Sequence, residues 1–133
     1  MQQLPKLPFV IPLVDTVTVS DGLGNTYTTT YSYESGLYDA PTKEFRGFGR
    51  VSVRDVDGNV SITEFHQDAE RKGRPFRTEV RNAAGDLWTR QEHTWQCVDP
   101  IAEVSCIYPA TRIWFVRLEQ TEATTCDGDA TCR

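Results

Sequence analysis

The chain has 133 residues, with 14 Lys and Arg against 19 Asp and Glu, a net charge of −5, and 38% apolar and 11% aromatic content. That is too rich in core-forming residues for a disordered tail and too acidic for a nucleic-acid module, which carries a basic patch. No apolar run approaches the roughly 20 residues of a membrane span, and two histidines, His66 and His93, exclude a histidine-rich metal site.

Met1 to Val14 shows no targeting signal: Pro12 interrupts the short apolar stretch Phe9-Val-Ile-Pro-Leu-Val14, and no small-residue cleavage site follows. From there the pattern is β throughout. Leu13 to Ser20 alternates with period 2 and is dense in β-branched residues, and Thr26 to Tyr33 sets tyrosines on one face and threonines on the other. A third strand begins at Val51 and Val53, a fourth runs from Val60 to His66, and Arg77–Arg81 and Leu87–Trp95 form another pair. Ile113-Trp-Phe-Val-Arg-Leu118 is a continuous apolar run and is expected to pack on both faces. Helical spacing is confined to one turn at most, within Gln67 to Lys72.

One turn recurs between these runs. Asp21-Gly-Leu-Gly-Asn25, Asp55-Val-Asp-Gly-Asn59 and Asn82-Ala-Ala-Gly-Asp86 share the form [Asp/Asn]-x-x-Gly-[Asn/Asp]. The first side chain hydrogen-bonds the turn backbone, Gly takes a positive φ, and the closing Asn or Asp tolerates a left-handed one. Each is expected to be a hairpin tip. The fold class that follows is all-β, an array of antiparallel hairpins forming part of a larger sheet, with a β-sandwich as the alternative. The end at Cys132-Arg133 follows a turn without a closing strand. Residues 1–133 are therefore expected to be one β-rich segment of a larger protein.

All four cysteines fall in the C-terminal stretch, at Cys97, Cys106, Cys126 and Cys132. Local pairing would join 97 to 106 across a hairpin loop and 126 to 132 around a tight one, and the spacing lacks the CxxC pairs of a zinc ribbon. Disulfides would place the protein in an oxidising compartment or outside the cell.

Candidates for chemistry are weak. Neither histidine, in Thr63-Glu-Phe-His-Gln67 or in Gln91-Glu-His-Thr94, has a nucleophile in a strained elbow nearby. Asp55-Val-Asp57-Gly-Asn59 resembles the start of a calcium loop, but the Asn82 copy keeps the turn without those carboxylates. Gly22-Leu-Gly24 and Gly47-Phe-Gly49 precede no helix that would hold a phosphate. The cationic run Arg71-Lys-Gly-Arg-Pro-Phe-Arg77 reads as an edge guard or a salt-bridged strand end rather than an anion patch. Tyr27, Tyr31, Tyr33, Tyr38 and Trp88 suit sheet packing better than sugar stacking.

Three segments carry a family resemblance: Tyr31-Ser-Tyr-Glu-Ser-Gly-Leu-Tyr-Asp39, Glu44-Phe-Arg-Gly-Phe-Gly-Arg50 and Lys72-Gly-Arg-Pro-Phe-Arg-Thr-Glu79. Together they resemble the insecticidal toxin complex (Tc) B component, in the middle-to-C-terminal region of TcdB-like and SpvB-like proteins that leads into Rhs/YD repeats. The resemblance covers about residues 15 to 95, and its most specific part is Glu44 to Arg50. It centres on Tyr31, Tyr33, Gly36, Tyr38, Asp39, Glu44, Phe45, Arg46, Gly47, Phe48, Gly49, Arg50, Lys72, Gly73, Arg74 and Pro75. It implies a secreted toxin in which a β-shell encloses and delivers an effector. The partners implied are the rest of the toxin chain and other toxin-complex subunits. It transfers no catalytic residue, so no enzyme is expected; the residues themselves give no expectation of a cofactor, metal, nucleic-acid partner or direct membrane insertion, and self-association through exposed strand edges is left open. A free-standing extracellular β-domain that binds glycan or protein is the alternative. Within the motif, Phe45 and Phe48 are expected to pack inward and Gly47 and Gly49 to permit a bulge. Arg46 and Arg50 are expected to pair with Glu44, Glu79 or Asp39. As a core truncation, Phe48→Ala would cost about 3–5 kcal/mol.

Overall fold

The computed structural model describes residues 7–98, 115–126 and 132. Seven strands follow one another: β1 (Thr16–Ser20), β2 (Thr26–Asp39), β3 (Glu44–Arg54), β4 (Val60–Phe65), β5 (Pro75–Arg81), β6 (Leu87–Val98) and β7 (Phe115–Thr125). They form one antiparallel sheet in the order β1-β2-β3-β4-β5-β6-β7, with no helix among the described residues. The hairpin array expected from the alternation is thus present as a single layer, and the sandwich alternative is not.

In such a meander the connections alternate between the two ends of the sheet. The three [Asp/Asn]-x-x-Gly turns join β1 to β2, β3 to β4 and β5 to β6, so all three tips lie at one end. Their geometry explains the repeat. Gly24, Gly58 and Gly85 hold φ of 95°, 85° and 96°. The leading side chain accepts from the fifth residue's backbone N–H: Asp21 from Asn25 at 3.2 Å, Asp55 from Asn59 at 2.9 Å, Asn82 from Asp86 at 2.9 Å. Asn25, Asn59 and Asp86 are absent from the positive-φ residues, so the expected left-handed closing residue is corrected. The closing position instead donates its backbone N–H into the turn, as in a three-residue loop with Gly in the left-handed position.

The strands exceed their sequence limits where the signal is irregular. β2 runs on to Asp39, and β3 begins at Glu44 rather than Val51. Between them the register slips: Gly36 faces Phe48 and Tyr38 faces Phe45, so Arg46 and Gly47 together oppose Leu37 alone. This is a β-bulge, with Gly47 at φ 78° and, on β2 just before Gly36, Ser35 at φ 58°. Leu13 to Asp15 lie outside β1, although the Asp15 carbonyl accepts from the Tyr31 N–H at 2.8 Å.

A single layer leaves little interior. Among the described residues the only buried apolar residue is Cys126, and the only buried charged one is Glu79 at 7% exposure. Two sequence expectations are corrected on this ground. β7 does not pack on both faces; among the described residues it is an edge strand, with Phe115 62% and Leu118 48% exposed. Phe45 and Phe48 do not enter a core; Phe45 stays 37% exposed and Phe48 is half-buried. Truncating a half-buried ring removes less contact, so Phe48→Ala is expected to cost about 1–2 kcal/mol by urea denaturation.

Candidate functional site

Residues directly opposite across an antiparallel pair share a face. Following the registers, Val17, Tyr27, Tyr31, Tyr33, Val51 and Val53 line one face over β1 to β3. The other face is polar and charged. On it Glu34, Arg50, Glu64, Arg77 and Glu92 stand in one row across β2 to β6, alternating in sign. Arg77 reaches Glu64 at 3.3 Å and Glu92 at 3.1 Å, and Arg50 stands 4.0 Å from Glu34.

Beside that row Glu79 sits between two arginines. Arg81 donates to one carboxylate oxygen from Nε (3.1 Å) and Nη2 (3.0 Å), and Arg90 Nε donates to the other at 2.9 Å. Burial pushes the Glu79 carboxyl up, but the hydrogen bonds and charges of the two guanidiniums outweigh it, so it titrates below the ordinary glutamate range. The expected partnership of Glu79 with Arg46 or Arg50 is therefore corrected. Arg46 pairs with Asp39 (3.3 Å) and Glu44 (3.8 Å), and Arg50 with Glu34. The register decides this, because Arg46 lies on β3 beside β2, while Glu79 lies on β5.

Apart from Tyr31, which faces Val53 near the β3–β4 tip, the motif residues gather toward the end of the sheet opposite the three tips. Asp39, Arg46, Glu44 and Lys72 form a continuous chain of ion pairs, with Lys72 closing on Glu44. Thr42 hydrogen-bonds to Asp39 and holds its carboxyl low against desolvation, with help from the Arg46 charge. Rings of Tyr38, Phe9, Phe45, Phe48 and Tyr33 contact one another in that order, at centroid distances of 5.3, 5.7, 5.7 and 5.3 Å. The segment before β1 covers part of this cluster: a Cβ on Gly36 would lie 3.0 Å from Leu7 Cδ1, and Tyr33 donates its hydroxyl to the Val14 carbonyl at 3.0 Å.

The β4–β5 connection holds the bulge from the side. Gln67 Nε2 donates to the carbonyls of Ser35 (2.6 Å) and Gly47 (3.0 Å), satisfying two groups that the irregular register frees from the ladder. Gly49 leaves room for that amide: a Cβ there would meet Gln67 Oε1 and Ser35 Cβ, each at 3.0 Å. Gln67 and Lys72 together clamp this loop onto β2 and β3. Sequence reading missed Gln67, since its partners lie 32 and 20 residues away.

The cationic run occupies the end of the β4–β5 connection and the start of β5, between interior strands and not at a sheet edge, so its edge-guarding role is corrected and its strand-end pairing stands. Arg71 binds Asp68 at 3.0 Å, Lys72 binds Glu44, Arg74 covers Trp95 at 5.4 Å, and Arg77 holds Glu64 and Glu92. Trp95 Nε1 in turn donates to the Pro75 carbonyl at 2.7 Å. The predicted single helical turn appears as the bond from Lys72 N–H to the Asp68 carbonyl, 3.0 Å.

His66 packs on Phe76 at 4.9 Å and stands 3.7 Å from Asp68; burial and the Arg71 charge lower its pKa, and Asp68 opposes them. His93 Nδ1 pairs with Thr121 Oγ1 at 2.9 Å across β6 and β7. Both Asp55 oxygens are engaged within their own turn. Tyr27 and Trp88, 45% and 47% exposed, lie on β2 and β6 with three strands between them, so they do not form one stacking platform. Cys126 is bonded to Cys132 with an S–S distance of 2.12 Å, and Cys97 is disulfide-bonded. Cys106, its expected partner, lies outside the described residues.

A search of curated proteins and a search of solved structures each find no match to this chain. The family model of the insecticide toxin TcdB middle/N-terminal region does match, over residues 2–79. That span contains every motif residue from Tyr31 to Pro75, together with Gln67, and it names the middle/N-terminal region where the resemblance pointed to the middle-to-C-terminal one. The clamp at the bulged end of the sheet is thus built wholly within the matched residues, and the chain belongs to the insecticide toxin TcdB middle/N-terminal region family.

Proposed function

We propose that this segment is non-enzymatic wall: part of a β-shell in a secreted Tc-type toxin, of SpvB and Rhs/YD-repeat kind, that encloses and delivers a toxic effector. Its partners are the remainder of its own toxin chain and other toxin-complex subunits. The observation that carries the reading is a seven-stranded sheet one layer thick, internally locked by ion pairs and a clamped bulge yet with almost no buried side chains among the described residues. A wall needs rigidity in the plane and two different faces, and here one face is charged while the other is apolar over β1 to β3. The carboxylates Asp39, Glu44, Asp68 and Glu79 are engaged by cations, which supports a structural role for them.

The test is photo-crosslinking in the complete toxin loaded with its effector, with a benzoylphenylalanine at Ser52 on the charged face or at Ser61 on the opposite one. Crosslinks to the effector from one of the two positions alone are expected. Effector crosslinks from both positions, or from neither, would overturn the wall reading.

A further inference from the structure

The alternating row of charges breaks at the last strand. Glu34, Arg50, Glu64, Arg77 and Glu92 alternate across β2 to β6, but the residue facing Glu92 on β7 is Glu122. Like charges directly opposite one another destabilise a strand pair. Glu92 is compensated on its other side by Arg77. Glu122 has no cation among the described residues; it accepts a hydrogen bond from Gln120, and the cation of its own strand, Arg117, is committed to Gln96 Oε1 at 2.8 and 2.6 Å.

The backbone of the same strand supplies a second, independent observation. β7 is 11 residues long and exposed at every position but Val116 and Thr124. It has β6 on one side and no strand on the other among the described residues. An edge of that length is a row of unpaired N–H and C=O groups that templates a further strand. The opposite edge differs: β1 has five residues, none of them charged.

We propose that the outer edge of β7 docks an antiparallel strand of a partner segment that places Arg or Lys opposite Glu122. The added strand takes up the open backbone groups, and its cation resumes the alternation that Glu122 interrupts. The inference rests on the sheet alone and does not depend on the toxin role.

The probe is a fluorescent capped heptapeptide, Thr-Val-Thr-Arg-Thr-Val-Thr, titrated into the 133-residue chain by anisotropy, alongside a twin with Glu at the centre. The Arg peptide is expected to bind about five- to tenfold tighter, as an opposite-charge pair replaces a like-charge one. Amide protection on binding is expected in β7 and not in β1. Glu122→Arg is expected to raise the melting temperature, by completing the row, while reversing the peptide preference. A merely structural Glu122 would give the first effect without the second. Equal binding of the two peptides, protection at β1 instead, or an Arg preference that survives Glu122→Arg would overturn the proposal. So would a dimer in sedimentation that protects the β7 amides and excludes the peptide, since the edge would then belong to a second copy.

Discussion

Gly47 and Gly49 stand two residues apart and meet different needs. Gly47 holds φ at 78° with open space where a Cβ would go, so a side chain there suffers only the backbone cost of about 1–2 kcal/mol. Gly49 has no positive φ; it is small because the Gln67 amide passes over it on its way to the Ser35 and Gly47 carbonyls. Gly49→Ala is expected to destabilise the sheet by about 1–3 kcal/mol, through overpacking. In a Gln67→Ala background that cost is expected to shrink, while the Gly47→Ala cost stays unchanged. Urea denaturation of the double-mutant cycle reads the difference. The sequence motif announces both glycines, but it does not say which is conformational and which is steric. That distinction lies in a contact with a residue almost 20 positions away, and nothing in the local pattern encodes it.

Among elements, the hairpins were the most legible. Their turns are closed by interactions within five residues, so the sequence carries all of the information. Once the tips are placed, much of the register follows: folding the chain about Asp57 sets Arg50 opposite Glu64, as observed. Asp55→Ala removes the acceptor for the backbone N–H groups of Asp57 and Asn59 and is expected to cost about 1 kcal/mol. Asp55→Asn keeps one acceptor oxygen and is expected to cost less than half of that, since Asn82 performs the same role in the third turn. Thermal unfolding of the two variants checks the ranking. The bulged β2–β3 pair was legible only in part. Its Gly-rich string signalled an irregularity, but the extension of β2 to Asp39 depends on Asp39 meeting Arg46 and on Phe9 reaching back over Tyr38. The apolar run near β7 misled for another reason: hydrophobicity reports a tendency to be covered, not whether the covering neighbour is at hand.

At the scale of the whole molecule, electrostatics take on work that a core would do in a two-layer fold. The pH response should show it. Glu79 and Asp68 both titrate below their ordinary ranges: burial opposes ionisation in each, and Arg81 with Arg90, and Arg71, overcome it. A carboxylate whose pKa is lowered by folding stabilises the protein fully above its unfolded pKa, near 4. That contribution is lost as pH falls from there through the lower folded value. Melting temperature is therefore expected to fall as pH drops below about 4, and Glu79→Gln is expected to flatten the decline. A decline of equal steepness in Glu79→Gln would show that Glu79 contributes nothing to it.

Among the described residues, every strand in this sheet touches only the strands adjacent to it in sequence. Strand-to-strand interactions therefore propagate along one dimension, like those of a ladder, and only the bulged β2–β3 pair draws on remote residues, Gln67 and Phe9, to complete its surroundings. A protein built this way can gain or lose a hairpin at its β7 end without repacking β1 to β4. Length is then a variable that evolution can tune one pair of rungs at a time.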